Sequence, residues 1–404
     1  MEKVCPKCGN EMKGDAKFCS KCGEKYEESE QNNQQLSFCP NCGKQVKINA
    51  RFCPACGKNL LMNQTEQHEN TVQRLNSGLG KFMNTINDMT GENGNVDIHL
   101  KELVSQVFKK HSIEEREELF TCGTKKTTPA VSEMITDWPK PWLFSKIFIL
   151  FGATFVGLLF MILGFENPNA VPGAMFIGAL IVPFSLVIFF WETNIPRNIS
   201  IFDVVSIFFI GGVLSLISTL VLYDFVYIEE INYMGAILVG IVEEIGKIIV
   251  VGHYIKKSNT KYILNGLLLG ACVGAGFAVF ETAGYAFSSL LSAMDISSMI
   301  HTLVLRAALA IGGHTLWTAI AAVGLVVAKG ENRFENKYYF SPKFLRFLVL
   351  VIVLHAIWDM PISLGSSIAL VQWLLCAIAV IIVLVLLSSG LRQVSKIVLE
   401  SQNE

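Results

Sequence analysis

Between Trp142 and Ser389 the chain is a succession of apolar runs about 20 residues long, separated by short polar turns. Runs of this length leave few choices of fold. In lipid every backbone N–H and C=O must be satisfied within its own segment, so such runs form membrane-spanning helices. A mean hydropathy of +0.45 with 17% charged residues points the same way, because a water-exposed chain of 404 residues needs more polar surface. Eight spans are expected, at residues 146–165, 173–192, 201–223, 234–255, 262–288, 299–328, 344–363 and 367–388. The fold class is that of an all-α polytopic membrane protein with about eight transmembrane helices.

Basic residues set the orientation. Lys140 and Lys146 precede the first span, Arg197 follows the second, and Lys256, Lys257 and Lys261 join the fourth to the fifth. Lys329, Arg333, Lys337, Lys343 and Arg346 join the sixth to the seventh, and Arg392 and Lys396 follow the eighth, whereas the turns 166–173 and 223–233 carry none. An even number of spans with both termini cytoplasmic in the cell membrane satisfies every loop. The opening residues Met1 to Cys5 lack the apolar core of a signal peptide, consistent with a cytoplasmic start. A net charge of -1 offers no electrostatic case for nucleic acid.

Eight of the 11 cysteines lie in the polar N-terminal part, as two copies of one pattern. Cys5, Cys8, Cys19 and Cys22 form the first, and Cys39, Cys42, Cys53 and Cys56 repeat it at a constant offset. Four thiolates satisfy tetrahedral zinc, and two residues between ligands let one tight turn present both sulfurs. The glycine after each pair, such as Gly9, tolerates the positive φ of that turn. Closed four-cysteine sites leave no coordination position for substrate, so two structural zinc ions are expected, replacing a core that each repeat is too short to build. The repeats resemble short zinc-ribbon modules found at the ends of many bacterial membrane proteins, which bind protein or act as adaptors. Cys272 and Cys376 lie in apolar spans and read as small apolar residues.

The expected organisation is therefore zinc ribbon 1 at residues 1–26, zinc ribbon 2 at 37–61, linker and juxtamembrane helices at 62–141, a helical bundle at 142–390 and a cytoplasmic tail at 391–404. Within the linker, Val72, Leu75, Leu79, Phe82, Met83, Ile86 and Met89 recur at helical spacing, and residues 98–120 form a second helical stretch. The first helix reads either as a dock for the membrane or a partner, or as a linker helix.

Charges at mid-membrane are costly and call for a reason. The fourth span carries Glu243, Glu244 and Lys247, the fifth Glu281, the sixth His314 and the seventh His355 and Asp359. Glu243 and Lys247 are four residues apart and share a helix face, as do His355 and Asp359, so the aspartate is placed to orient the imidazole. One glutamate can pair with Lys247 while its neighbour stays free to accept a proton. Gly266, Gly270 and Gly274 give the fifth span a small-residue face that permits close helix approach. Bland readings exist for several of these groups. Lys247 can serve only to neutralise Glu243, His314 alone reads as a core histidine, Arg306 as a counter-ion or outer-leaflet anchor, and Asp203 and Asn265 as solvated span ends. Two adjacent carboxylates in a lipid-embedded helix are the hardest to explain in this way.

The elements Glu243-Glu244-x2-Lys247, Phe277-x3-Glu281, Gly313-His314-x3-Thr318 and His355-x3-Asp359 resemble the PrsW family of intramembrane proteases, distantly related to CAAX prenyl proteases and bacteriocin-processing proteins. The resemblance implies endopeptidase cleavage of a single-pass membrane protein such as an anti-sigma factor. CAAX-type enzymes have histidine where this chain has Glu281. Glu244 is the first choice of base, acting with His314 or His355 on a water; the remaining histidine and Asp359 would stabilise the oxyanion or protonate the leaving amine, and Lys247 would tune the glutamate. A metal held by glutamate and the two histidines ranks lower, because no H-E-x2-H pair is present. The alternative is a non-enzymatic membrane sensor or proton-coupled transporter with a zinc-ribbon docking module. The partners expected are a membrane-protein substrate, the lipid bilayer and a cytosolic protein docked on the zinc ribbons.

Overall fold

The computed structural model describes residues 3–5, 7–12, 19–22, 36–38, 44–47, 78–92, 96–362 and 369–403. The chain divides into two compact units, Met1–Gly78 and Leu79–Glu404. In the first, Lys3–Val4 (β1) pairs antiparallel with Glu11–Met12 (β2), and Leu36–Phe38 (β3) with Gln45–Lys47 (β4). The two hairpins recur at the spacing of the cysteine repeats. Gly9 has φ +68°, the left-handed turn expected after Cys8. Cys39, Cys42, Cys53 and Cys56 lie outside the described residues, as does the 72–77 part of the linker helix.

The second unit is all helical. Its long helices are α1 (Leu143–Phe165), α2 (Val171–Glu192), α3 (Ile201–Tyr223), α4 (Tyr233–Ser258), α5 (Ile263–Ala293), α6 (Ile296–Leu309), α7 (His314–Lys329), α8 (Pro342–Asp359) and α9 (Leu370–Asn403). Among the described residues six segments are long and apolar enough to cross a membrane: α1, Pro168–Glu192, α3, α5, Ile296–Lys329 and Leu370–Gln402. The six do not include α4, which carries Glu243, Glu244 and Lys247, or α8, which carries Lys343, Arg346 and Asp359. The chain is a multi-pass membrane protein.

Helix α5 is the axis of the bundle, buried without interruption from Ile263 to Val279. A helix apolar on all sides belongs at the centre of a bundle. Its glycines bring α7 close: a Cβ at Gly270 would lie 2.5 Å from the Thr318 carbonyl oxygen, and one at Gly274 only 2.4 Å from that of His314. The small-residue face thus sets the depth of His314. On its other side α5 meets α3 where that helix widens into a π segment, Ile207–Gly211.

Several expectations need correction. The sixth span is two helices, because a 3-10 turn at Ala310–Gly312 and an extended Gly313 end α6 and start α7 at His314. Glycine is cheap in such a break, and Gly312 is pressed against α9, where an added Cβ would lie 2.2 Å from the Cys376 Cα. Asn265 is fully buried rather than solvated, with its amide donating to Asn198 Oδ1 at 2.7 Å and its Oδ1 accepting from Thr260 Oγ1 at 2.7 Å. The 98–120 stretch is two short helices, Leu100–Val104 and Ile113–Thr121, because Ser112 and Glu115 form a capping box that starts the second.

The linker helix at residues 78–89 packs on its own bundle. Ile86 joins the core, and Asn87 Oδ1 accepts from Ser389 Oγ at 2.8 Å and from Arg392 on the extension of α9. At the start of α1 the Glu192 carboxylate accepts from the backbone N–H groups of Trp142, Leu143 and Phe144 at 2.8 to 2.9 Å, closing α1 onto α2.

Candidate functional site

The N-terminal site is built locally. Sγ of Cys5 lies 3.6 Å from that of Cys22, and Sγ of Cys8 3.7 Å from that of Cys19. Zinc with bonds of 2.3 Å to four tetrahedral sulfurs separates them by about 3.8 Å, so the donor set fits zinc as it stands. Backbone N–H groups of Lys21 and then Cys22 donate to the Cys19 sulfur and hold its thiol down to about 6. The thiolate form that metal requires is thereby favoured.

The second site gathers side chains from α4, α5, α7 and α8. Lys247, with no exposed surface, donates from Nζ to Glu244 Oε1 at 2.9 Å, Glu243 Oε2 at 3.2 Å and His314 Nδ1 at 2.8 Å. The ammonium also stands over the Phe277 ring, 4.0 Å from its centroid. Lys247 therefore holds both glutamates; neither is left free of it, as the spacing alone had suggested. His314 Nε2 lies 3.0 Å from Glu281 Oε2. Since Nδ1 faces an ammonium donor, the neutral imidazole carries its proton on Nε2 and gives it to Glu281.

His355 is held between carboxylates. Its Nδ1 lies 2.9 Å from Glu244 Oε1, and its Nε2 3.3 Å from Asp359 Oδ2 and 3.7 Å from Glu243 Oε2. Helix α8 supplies the Asp359 contact by the expected four-residue spacing. The contact with Glu244 depends on the packing of α8 against α4, where an added Cβ on Gly240 would lie 3.2 Å from the Ile352 carbonyl oxygen.

A cavity of about 880 Å³ reaches this cluster from one end of the bundle, past Tyr223, Val226 and Ile231 before α4 and past Gln372 on α9. Glu243, Glu281, His314, His355 and Asp359 line it. Glu244 and Lys247 do not: they are sealed behind the wall, and Glu244 Oε2 has no hydrogen-bond partner among the described residues. All seven intramembrane residues singled out in the sequence meet here, but they fall into two layers. Two further groups complete the wall. Tyr223 donates its hydroxyl to Glu243 Oε1 at 3.2 Å, and Arg306 donates from Nη2 to Glu281 Oε2 and from Nε to Thr282 Oγ1 at 3.0 Å. Arg306 was visible in the sequence as an intramembrane cation, but its partner is set by the packing of α6 on α5. Tyr223 gave no signal, being an aromatic at a span end.

Glu243, His314 and His355 offer ligand atoms within 4.8 Å of one another. This donor set fits a divalent metal with one open position, and each histidine can donate the N–H of its other ring nitrogen to a carboxylate, Glu281 or Glu244, as metal-bound histidines generally do. The His314 Nδ1 lone pair that would face such an ion is the one Lys247 occupies, so the two uses exclude each other.

Residues 5–57 match the family described as double zinc ribbon. Residues 200–387 match the family described as PrsW family intramembrane metalloprotease. No curated protein and no solved structure matches the chain. The matched stretch includes every residue of the intramembrane cluster, and residues 200–387 thus match the PrsW family of membrane proteases, on a chain whose residues 5–57 match a double zinc ribbon.

Proposed function

We propose that this protein is an intramembrane endopeptidase that cuts a single-pass membrane protein, of the anti-sigma-factor kind, by water activated in the cavity. The observation that carries this reading is the layering of the polar cluster. Glu243, Glu281, His355 and Asp359 face a space large enough for an extended peptide, while Lys247 and Glu244 stand behind and hold them. Inert packing pairs would not need an open cavity.

Glu243 is the proton acceptor in this proposal, in place of Glu244. Its Oε1 is fixed by the Tyr223 hydroxyl and its Oε2 by Lys247, which leaves the carboxylate oriented into the cavity. Water loses a proton to Glu243 as its oxygen bonds to the scissile carbonyl carbon; the C–N bond then breaks and the proton passes to the leaving amine. Glu244 positions His355, and Lys247 bonds both glutamates and fixes their carboxylates. A divalent ion held by Glu243, His314 and His355 would supply Lewis-acid polarisation of the same water. Asp359, which has no Lys or Arg partner among the described residues, receives the proton where Glu243 serves as a ligand.

The positive-inside pattern supports cytoplasmic termini in the cell membrane. The cavity mouth, at the end of α3 and the start of α9, then opens on the extracytoplasmic side, and cleavage falls toward that leaflet. Each zinc repeat holds one zinc ion, and together they dock a cytosolic protein. The test compares new protein N-termini in membranes of cells expressing the wild type, Glu243→Gln or Glu244→Gln at equal level. Termini in or beside single-pass segments that vanish with Glu243→Gln support the protease. Unchanged termini alongside a phenotype that still needs the glutamates would favour a proton relay instead.

A further inference from the structure

A hydrolase that adds water to a carbonyl needs a hydrogen-bond donor where the oxyanion develops. Among its charged and imidazole side chains the cavity is short of such donors. Glu243, Glu281 and Asp359 are acceptors, the Lys247 ammonium is sealed off, and both nitrogens of His355 are turned to carboxylates. His314 likewise spends its two nitrogens on Lys247 and Glu281. Arg306 is the one cation lining the cavity among the described residues. Its guanidinium is held on three sides: Nη2 on Glu281, Nε on Thr282 Oγ1, and its plane over the Tyr285 ring at 4.3 Å. Nη1 has no hydrogen-bond partner among the described residues, and the side chain keeps 28% of its surface exposed.

We propose that Arg306 binds the carbonyl oxygen of the scissile peptide through Nη1 and stabilises the oxyanion, the part first assigned to a histidine with Asp359. Glu281, in the place where related enzymes carry histidine, anchors this arginine. The pinning is preorganisation: a guanidinium already fixed by Glu281, Thr282 and Tyr285 spends no rotamer freedom when charge appears on the substrate oxygen. The inference rests on the hydrolytic reading of the site.

The test uses the full chain in proteoliposomes, with the single-pass segment whose new N-terminus depends on Glu243 as the probe. Arg306→Gln is expected to lower kcat about 10²- to 10³-fold with KM changed less than about threefold, the signature of an interaction made in the transition state. Arg306→Lys should recover part of that loss. The decisive comparison is Glu281→Gln alone against Glu281→Gln with Arg306→Gln. A donor role predicts that the double variant falls at least about tenfold below Glu281→Gln. Equal rates for those two would reduce Arg306 to a counter-ion of Glu281 and overturn the proposal. So would an Arg306→Gln rate within threefold of wild type, or a loss of rate that only tracks loss of folded protein by thermal melting. If Glu243→Gln cleaves the probe as well as the wild type does, it is the hydrolytic reading that fails.

Discussion

The zinc-binding knuckles and the intramembrane cluster both bring ligand-type side chains within a few ångströms of one another, by opposite routes. Cys5, Cys8, Cys19 and Cys22 are close in sequence, and two tight turns place their sulfurs 3.6 to 3.7 Å apart. Glu243, Glu281, His314 and His355 come from four helices and touch only because α5 and α7 are packed glycine to backbone. A knuckle therefore needs metal in place of a core, whereas the cluster has a core and uses it to hold charges that lipid would reject. One consequence is a difference in tolerance. Losing a ligand from the knuckle should cost a metal ion, while losing the cation at the centre of the cluster, Lys247, should cost the fold.

Lys247→Met is the sharpest way to test that contrast. Removing the ammonium leaves Glu243 and Glu244 buried without their cation, which costs about 3–5 kcal/mol, so the chain should melt far below wild type and show no cleavage. Wild-type melting would mean that the charges are not held by this pair. Glu243→Gln is expected to keep the fold yet lower the cleavage rate by about 10²- to 10⁴-fold, read in proteoliposomes with the melting curve alongside. Gly274→Ala asks whether close packing sets the site. Its new methyl meets the His314 carbonyl and Thr318, and a displacement approaching 1 Å should cost about 10²-fold in rate. Unchanged activity there would show that α7 can move without loss. The smallest effect is expected for Cys8→Ser in the full chain: about one zinc ion fewer by elemental analysis, with cleavage within about twofold and bundle melting unchanged. A large loss of cleavage would break the comparison and make the zinc modules part of the enzyme's working state.

Much of the site was legible in the chain because its cues are local. The Glu243–Lys247 and His355–Asp359 contacts follow from helical spacing, and the Gly266, Gly270 and Gly274 face from its small residues. What local cues missed is equally specific. Glu244 seemed the natural base, yet it faces His355 and Lys247 away from the cavity. A residue one helical step from its neighbour points about 100° away, so which of two adjacent glutamates meets the cavity depends on which helices flank α4. Tyr223 and Arg306 belong to the same class, being recruited across helix interfaces that no spacing encodes.

By itself the amino-acid sequence determined the membrane-spanning character of residues 142–390, the two cysteine repeats and their preference for zinc, and the identity of the charged residues that lipid would not tolerate unpaired. Those follow from hydropathy, ligand chemistry and helical periodicity, which act over a few residues. Tertiary structure alone decided that the chain breaks at Gly312 and Gly313 to present His314 at a helix start, that Lys247 is sealed behind the wall, and that Arg306 is anchored on Glu281 in the lining of the cavity. These choices depend on which helix faces meet and how closely the glycines let them approach, and contacts of that kind join residues far apart in the chain.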